Sequence, residues 1–155
     1  MQNPTREIFE MAMAEAEHAR FALAFSSEEG ARTAILHLLK AGDRILVEEE
    51  VNHANRYYLE HYAQSVLGLK VDFVDTASED AVKENIFDNT KLLWLESPAG
   101  PFLKVSDLTV LSKMARDKGL ITVCDSSFAN SFTQSPILLG VDIVIQSCEH
   151  IDGHS

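Results

Sequence analysis

The chain has 155 residues, 46% of them hydrophobic, with 13 basic and 24 acidic side chains and a net charge of −11. This is enough chain for one buried core and too apolar a composition for a disordered segment. An acidic surface repels phosphate backbones and anionic lipid, which argues against nucleic-acid or membrane-surface partners.

The spacing predicts a first helix over residues 4–18. Its early charges and lack of an unbroken apolar stretch exclude a secretory signal, so the expected location is cytoplasmic. FALAF (21–25) reads as a first strand, and a helix follows over 29–40. RILVE (44–48), KVDFVD (70–75), KLLWLE (91–96), LITVCD (120–125) and DIVIQ (142–146) read as further strands. Helices over 53–67, 78–87 and 106–118 separate them, the last with Ser106 as its expected N-cap and Gly119 as its stop. Gly42, Gly68, Gly119 and Gly140 each fall just before a strand, where helix C-terminal turns put glycine. Strands alternating with helices imply a parallel sheet, and runs such as ILV and ITVC suit strands buried on both faces. The fold expected is a single α/β domain over residues 1–155, with a mostly parallel sheet covered by helices.

In such sheets ligands collect beyond the carboxyl ends of the strands. Those ends carry SSEEG (26–30), EEEVNHAN (48–55), ESPAGP (96–101), DSSFANS (125–131) and SCEHIDGHS (147–155), so function has to be argued from these five loops. Cys124 and Cys148 make no disulfide framework, and each closes an apolar run where cysteine serves as a small hydrophobe. Cys148, His150, Asp152 and His154 are legitimate metal ligands, but Gly153 argues against the helix that would align the histidines, and no metal site is expected. Tyr57, Tyr58 and Tyr62 sit at helical spacing and are expected to pack on the sheet or a neighbouring subunit.

The ordered series NPTR (3–6), HLLKAGDRI (37–45), NRYY (55–58), GLKVDFVD (68–75), TKLLWLESP (90–98), LKVSD (103–107), VCDSSF (123–128), LGVD (139–142) and GHS (153–155) resembles the transsulfuration family of pyridoxal-phosphate (PLP) enzymes, and within it the cystathionine γ-lyases. The resemblance implies the large domain of a fold-type I PLP enzyme, PLP as cofactor and carbon–sulfur lyase chemistry. It implies that Asp125 pairs with the cofactor's pyridine nitrogen, and that Ser127 and Ser147 hold its phosphate. The turn that would cradle that phosphate carries Glu28 and Glu29, acidic residues that suit a helix N-terminus and repel a dianion.

Four further departures accompany this one. The family's imine-forming lysine falls near Glu149, and the last lysine of the chain is Lys118. Only an amine forms an imine with the aldehyde, so no catalytic residue is assigned. Asn52 stands where the family stacks a tyrosine on the ring, and Gly100 where it has an asparagine. The family's seventh strand and smaller domain lie beyond the matched segment, which reads as an incomplete large domain. A catalytically impaired lyase relative is the first expectation. A non-catalytic partner of full-length family members, or a decayed gene product, are the alternatives. Assembly with a copy of itself or with full-length relatives follows from the same resemblance.

Overall fold

The structure, a computed structural model, describes residues 3–148. Five strands form one parallel sheet: β1 (Arg44–Glu48), β2 (Lys70–Val74), β3 (Thr90–Glu96), β4 (Ile121–Asp125) and β5 (Ile143–Ile145), in the order β2-β1-β3-β4-β5. The helices are α1 (Pro4–Ala16), α2 (Glu28–Leu36), α3 (His53–Tyr58), α4 (Glu79–Glu84) and α5 (Leu108–Asp117); α3 runs on into a π-helical turn at Leu59–Ala63. Among the described residues no helix is long and apolar enough to cross a membrane.

Period-two alternation sorts the strand residues into two cores. Ile45, Val47, Leu92, Trp94 and Val123 face Ile35 and Leu36 of α2 together with Leu59 and Ala63. Leu46, Leu93, Leu95 and Cys124 face Val82 of α4 and Leu108, Leu111 and Ala115 of α5. The sheet is thus covered on both sides, as its continuous apolar runs require. Gly140 is needed where the chain turns into β5: its φ is +98°, and a Cβ there would lie 2.8 Å from Ser112 Oγ.

FALAF is not a strand. Residues 21–25 have no regular secondary structure and pair with none of the five strands. Instead, Ala24 donates its N–H to Glu10 Oε1 (2.8 Å) and its carbonyl accepts from Arg6 Nη2 (2.7 Å), so α1 side chains satisfy groups that a sheet neighbour would otherwise take. Phe21, Leu23 and Phe25 stay exposed. Ser106 does not cap α5 either. Asp107 does, accepting from the N–H groups of Thr109 and Val110 at 3.0 Å each, while Ser106 is buried against Thr76 Oγ1 at 2.6 Å. Cys124 is buried as expected, but Cys148 is exposed.

Glu48 closes β1 and is fully buried. In phase with Leu46, it faces the α5 side of the sheet, where Lys104 Nζ lies 3.0 Å from it, and Thr76 donates to it from both its backbone N–H and its hydroxyl. Burial pushes Lys104 down, yet hydrogen bonds to Asp75, Glu48 and Glu49 outweigh it and hold its ammonium well above the ordinary lysine range. A buried charge that loses its partner is costly. Lys104→Met is therefore expected to lower the unfolding free energy by about 2–4 kcal/mol, and a midpoint unchanged in urea melts would refute this account of Glu48.

Candidate functional site

The sheet order places its switch point between β1 and β3, and a cleft opens near there, at the carboxyl ends of the strands. It encloses about 200 Å³. Glu96 ends β3 and Asp125 ends β4, directly paired in the ladder. In phase with Trp94 and Val123 respectively, both face the α2 side of the sheet. Glu28, the first residue of α2, meets them there, and Ser127, Ser147, Asn52 and Phe128 complete the lining. Asn52 and Phe128 also border a neighbouring hollow of about 450 Å³ flanked by Gly100 and Pro101.

Local hydrogen bonds position these groups. Ser27 caps α2 by accepting from Gly30 N–H at 3.1 Å, which turns Glu28 toward the sheet edge. Asp125, 4% exposed, accepts from Ser127 N–H at 3.1 Å, so it closes the turn that follows β4 as strand-end aspartates commonly do. Ser127 Oγ accepts from Ser147 N–H at 3.1 Å and ties the loop after β4 to the one after β5. Asn52 is the N-cap of α3, its side chain accepting from Asn55 N–H at 2.8 Å, and its own N–H donates to Glu96 Oε2 at 3.2 Å.

Of the five residues singled out in the sequence, Glu28, Asp125, Ser127 and Ser147 converge on one cleft. Glu29 lies outside the lining, more than half exposed and 4.0 Å from Arg32. Glu149, at the expected lysine position, and His150, Asp152 and His154 lie outside the described residues.

Glu96 was not singled out, although it closes KLLWLE just as Asp125 closes LITVCD; that parallel was the available signal. It is 2% exposed, and its Oε1 has no partner that meets hydrogen-bond geometry. Burial, then the neighbouring Asp125, push its carboxyl up to about 7; the N–H groups of Asn52 and Gly100 and the charge of Arg32 offset only part of this. Arg32 was missed as well. It is 1% exposed, ion-paired with Glu28, and its Nε and Nη1 have no acceptor. Glu28 is itself raised by burial, against the lowering effect of Arg32. Cys124, directly beneath Asp125 in β4, is pushed up to about 12 by burial, which leaves it inert as a nucleophile.

A doubly covered parallel sheet with an acid and two serines at a cleft beyond its strand ends defines an open α/β domain with the usual place for a ligand. The chain belongs to the Cys/Met metabolism PLP-dependent enzyme family, whose model matches residues 1–155. It is 39% identical over 154 residues to a probable cystathionine gamma-synthase of Herpetosiphon aurantiacus, covering 99% of this chain and 48% of that protein. It is 38% identical to the cystathionine gamma-lyase of Dictyostelium discoideum, covering 99% of this chain and 40% of the relative. The crystal structure of cystathionine gamma-lyase from Lactobacillus plantarum complexed with L-serine superposes with a TM-score of 0.90 at 34% identity, over 95% of this chain and 38% of that one. The chain thus spans less than half the length of these relatives.

The residues present fit one end of PLP. Asp125 suits a protonated ring nitrogen, and Ser127 with Ser147 offer hydroxyls. The carboxylate of Glu28 in the same cleft does not suit a phosphate, and no lysine is among the described lining residues.

The Glu96 carboxyl gives a checkable pH dependence. Its pKa is raised to about 7 in the fold, from 4.5, so the folded state holds an extra proton between those values, and stability falls as pH rises through that window. Glu96→Gln is expected to flatten the fall and to stabilise the protein at pH 8 by about 2–3 kcal/mol. Parallel wild-type and variant stability profiles from pH 4 to 8 would show the carboxyl to be ordinary.

Proposed function

We infer that this chain forms the sheet portion of a cystathionine γ-lyase-like cofactor site that holds the B6 ring without an imine and has little or no carbon–sulfur lyase activity of its own. The observation that carries this reading is the makeup of the cleft: Asp125, Ser127 and Ser147 together, with no amine among the described lining residues. PLP supplies an electron sink to an amino-acid substrate once the two are joined through an imine. Here Asp125 would orient the ring by its nitrogen, and the hydroxyls of Ser127 and Ser147 would donate to its substituents. None of these groups can take the place of an amine.

A test is PLP addition followed by borohydride reduction and mass mapping. The expected result is no lysine modified in stoichiometric amount and no 2-oxobutanoate or thiol released from cystathionine. Full reduction onto one lysine would sink the reading.

A second reading, that the chain docks on full-length family members, is favoured by the apolar surface that α1 and the following segment leave open. Phe21 is 71% exposed and Leu23 64% exposed, with Ile8 and Met11 also exposed on α1. Few monomers leave such a cluster uncovered. Co-expression with a full-length homologue is expected to yield a complex that Phe21→Glu with Leu23→Glu abolishes. A complex indifferent to both substitutions, or none at all, would remove this reading.

A further inference from the structure

The cleft is built with the wrong charge for a phosphate. Glu28, Glu96 and Asp125 all line it, and no lysine or arginine does among the described residues. The nearest buried cation, Arg32, is already held by Glu28. An anion entering this space meets like charges in a partly dry site, where screening by water and salt is weak. Donors at Glu96 fall short: it is 2% exposed, Asn52 N–H serves Oε2, and Oε1 has no partner that meets hydrogen-bond geometry. A buried acceptor left unpaired is costly, so a ligand bringing an N–H to Glu96 is favoured over one that does not. Phe128, 62% exposed at the rim, offers an aromatic face that attracts a cationic ring. The enclosed volume of about 200 Å³ suits a single substituted six-membered ring.

We propose that the cleft selects a small cationic aromatic amine without a phosphate, the dephosphorylated B6 ring pyridoxamine being the matching case, and that Glu28 is the residue that turns the phosphorylated form away. This rests on the reading of the cleft as a B6 site. In it, Asp125 faces the ring nitrogen, Glu96 accepts from the ligand's ammonium, and Glu28, on the same lining as Ser127 and Ser147, meets a phosphate with like charge. The Glu28–Arg32 pair explains how a glutamate is kept at that place: Glu28 takes one nitrogen of a buried guanidinium that itself lies outside the cleft lining.

The test compares pyridoxamine with pyridoxamine 5′-phosphate. Neither carries an aldehyde, so adventitious imines with surface lysines do not interfere. Binding of each to the whole chain is measured by equilibrium dialysis with fluorescence detection at pH 8. The wild-type protein is expected to bind pyridoxamine at least tenfold more tightly than its phosphate ester. Glu28→Gln retains an acceptor for Arg32, and is expected to raise affinity for the ester at least tenfold relative to pyridoxamine. Glu96→Gln is expected to weaken pyridoxamine at least fivefold without improving the ester, with circular dichroism confirming that both variants fold. Tighter binding of the ester by wild type, or a ratio that Glu28→Gln does not move, overturns the proposal and leaves the B6 site standing. If neither ring binds the folded wild-type protein or Glu28→Gln, the underlying B6 reading fails together with it.

Discussion

Two buried glutamates at the ends of adjacent parallel strands organise this molecule, and they differ in how they are compensated. Glu48 and Glu96 are both sealed from solvent. Alternation along the strands sends Glu48 to the α5 face and Glu96 to the α2 face. On the first face Lys104, Thr76 and the N–H of Glu50 meet Glu48 with hydrogen bonds or charge. On the second, Glu96 accepts from Asn52 N–H at 3.2 Å and is lowered by the Gly100 N–H, but its Oε1 has no partner that meets hydrogen-bond geometry, and Asp125 is its ladder neighbour. The first arrangement welds the loop containing Lys104 onto the sheet. The second leaves a demand for a hydrogen-bond donor at the edge of a cleft. Unmet demands of this kind are uncommon in native interiors, where water or a ligand usually meets them.

That contrast bears on what has been kept from the family. The main-chain frame is retained: a TM-score of 0.90 at 34% identity means strands, helices and their register survive extensive change of side chains. Asp125 is held by the geometry of β4 itself, since its oxygen also accepts from Ser127 N–H and so supports the turn whether or not a ring is bound. Glu28 is different. Ser27 caps α2 and an acid in the first turn favours any helix, so a glutamate there costs the fold little while presenting negative charge to a ligand.

Most of the fold was legible because its signals are local. Five of six strand segments appear within one or two residues at each end, since apolar runs bounded by helix-terminating glycines leave few other conformations. FALAF misled for the opposite reason. Its alternation is that of a strand, but a strand exists only when a neighbour accepts its ladder, and that is a fact about distant chain. The α5 cap misled by one residue, because Ser106 and Asp107 are both good caps and only the tertiary partner Thr76 decides between them. At the site, four of five singled-out residues converge, as expected of strand ends in a parallel sheet. Glu96 and Arg32 escaped notice because a carboxylate's missing partner and a guanidinium's burial belong to packing and cannot be read from spacing.

The way α1 holds residues 21–25 shows why the sheet tolerates an unpaired run of this kind. Arg6 and Glu10 are one helical turn apart and ion-paired at 2.7 Å, and together they satisfy both the donor and the acceptor of Ala24. A backbone residue so engaged has no need of a strand beside it, and the accepted Ala24 N–H holds the Glu10 carboxyl below its usual range. The cost is borne by the side chains: Phe21, Leu23 and Phe25 keep the alternation of a strand and remain in water. An ion pair exposed to solvent contributes little by itself, so this arrangement is a weak latch over an apolar surface, and a competing strand that offered a full ladder and a dry face would displace it.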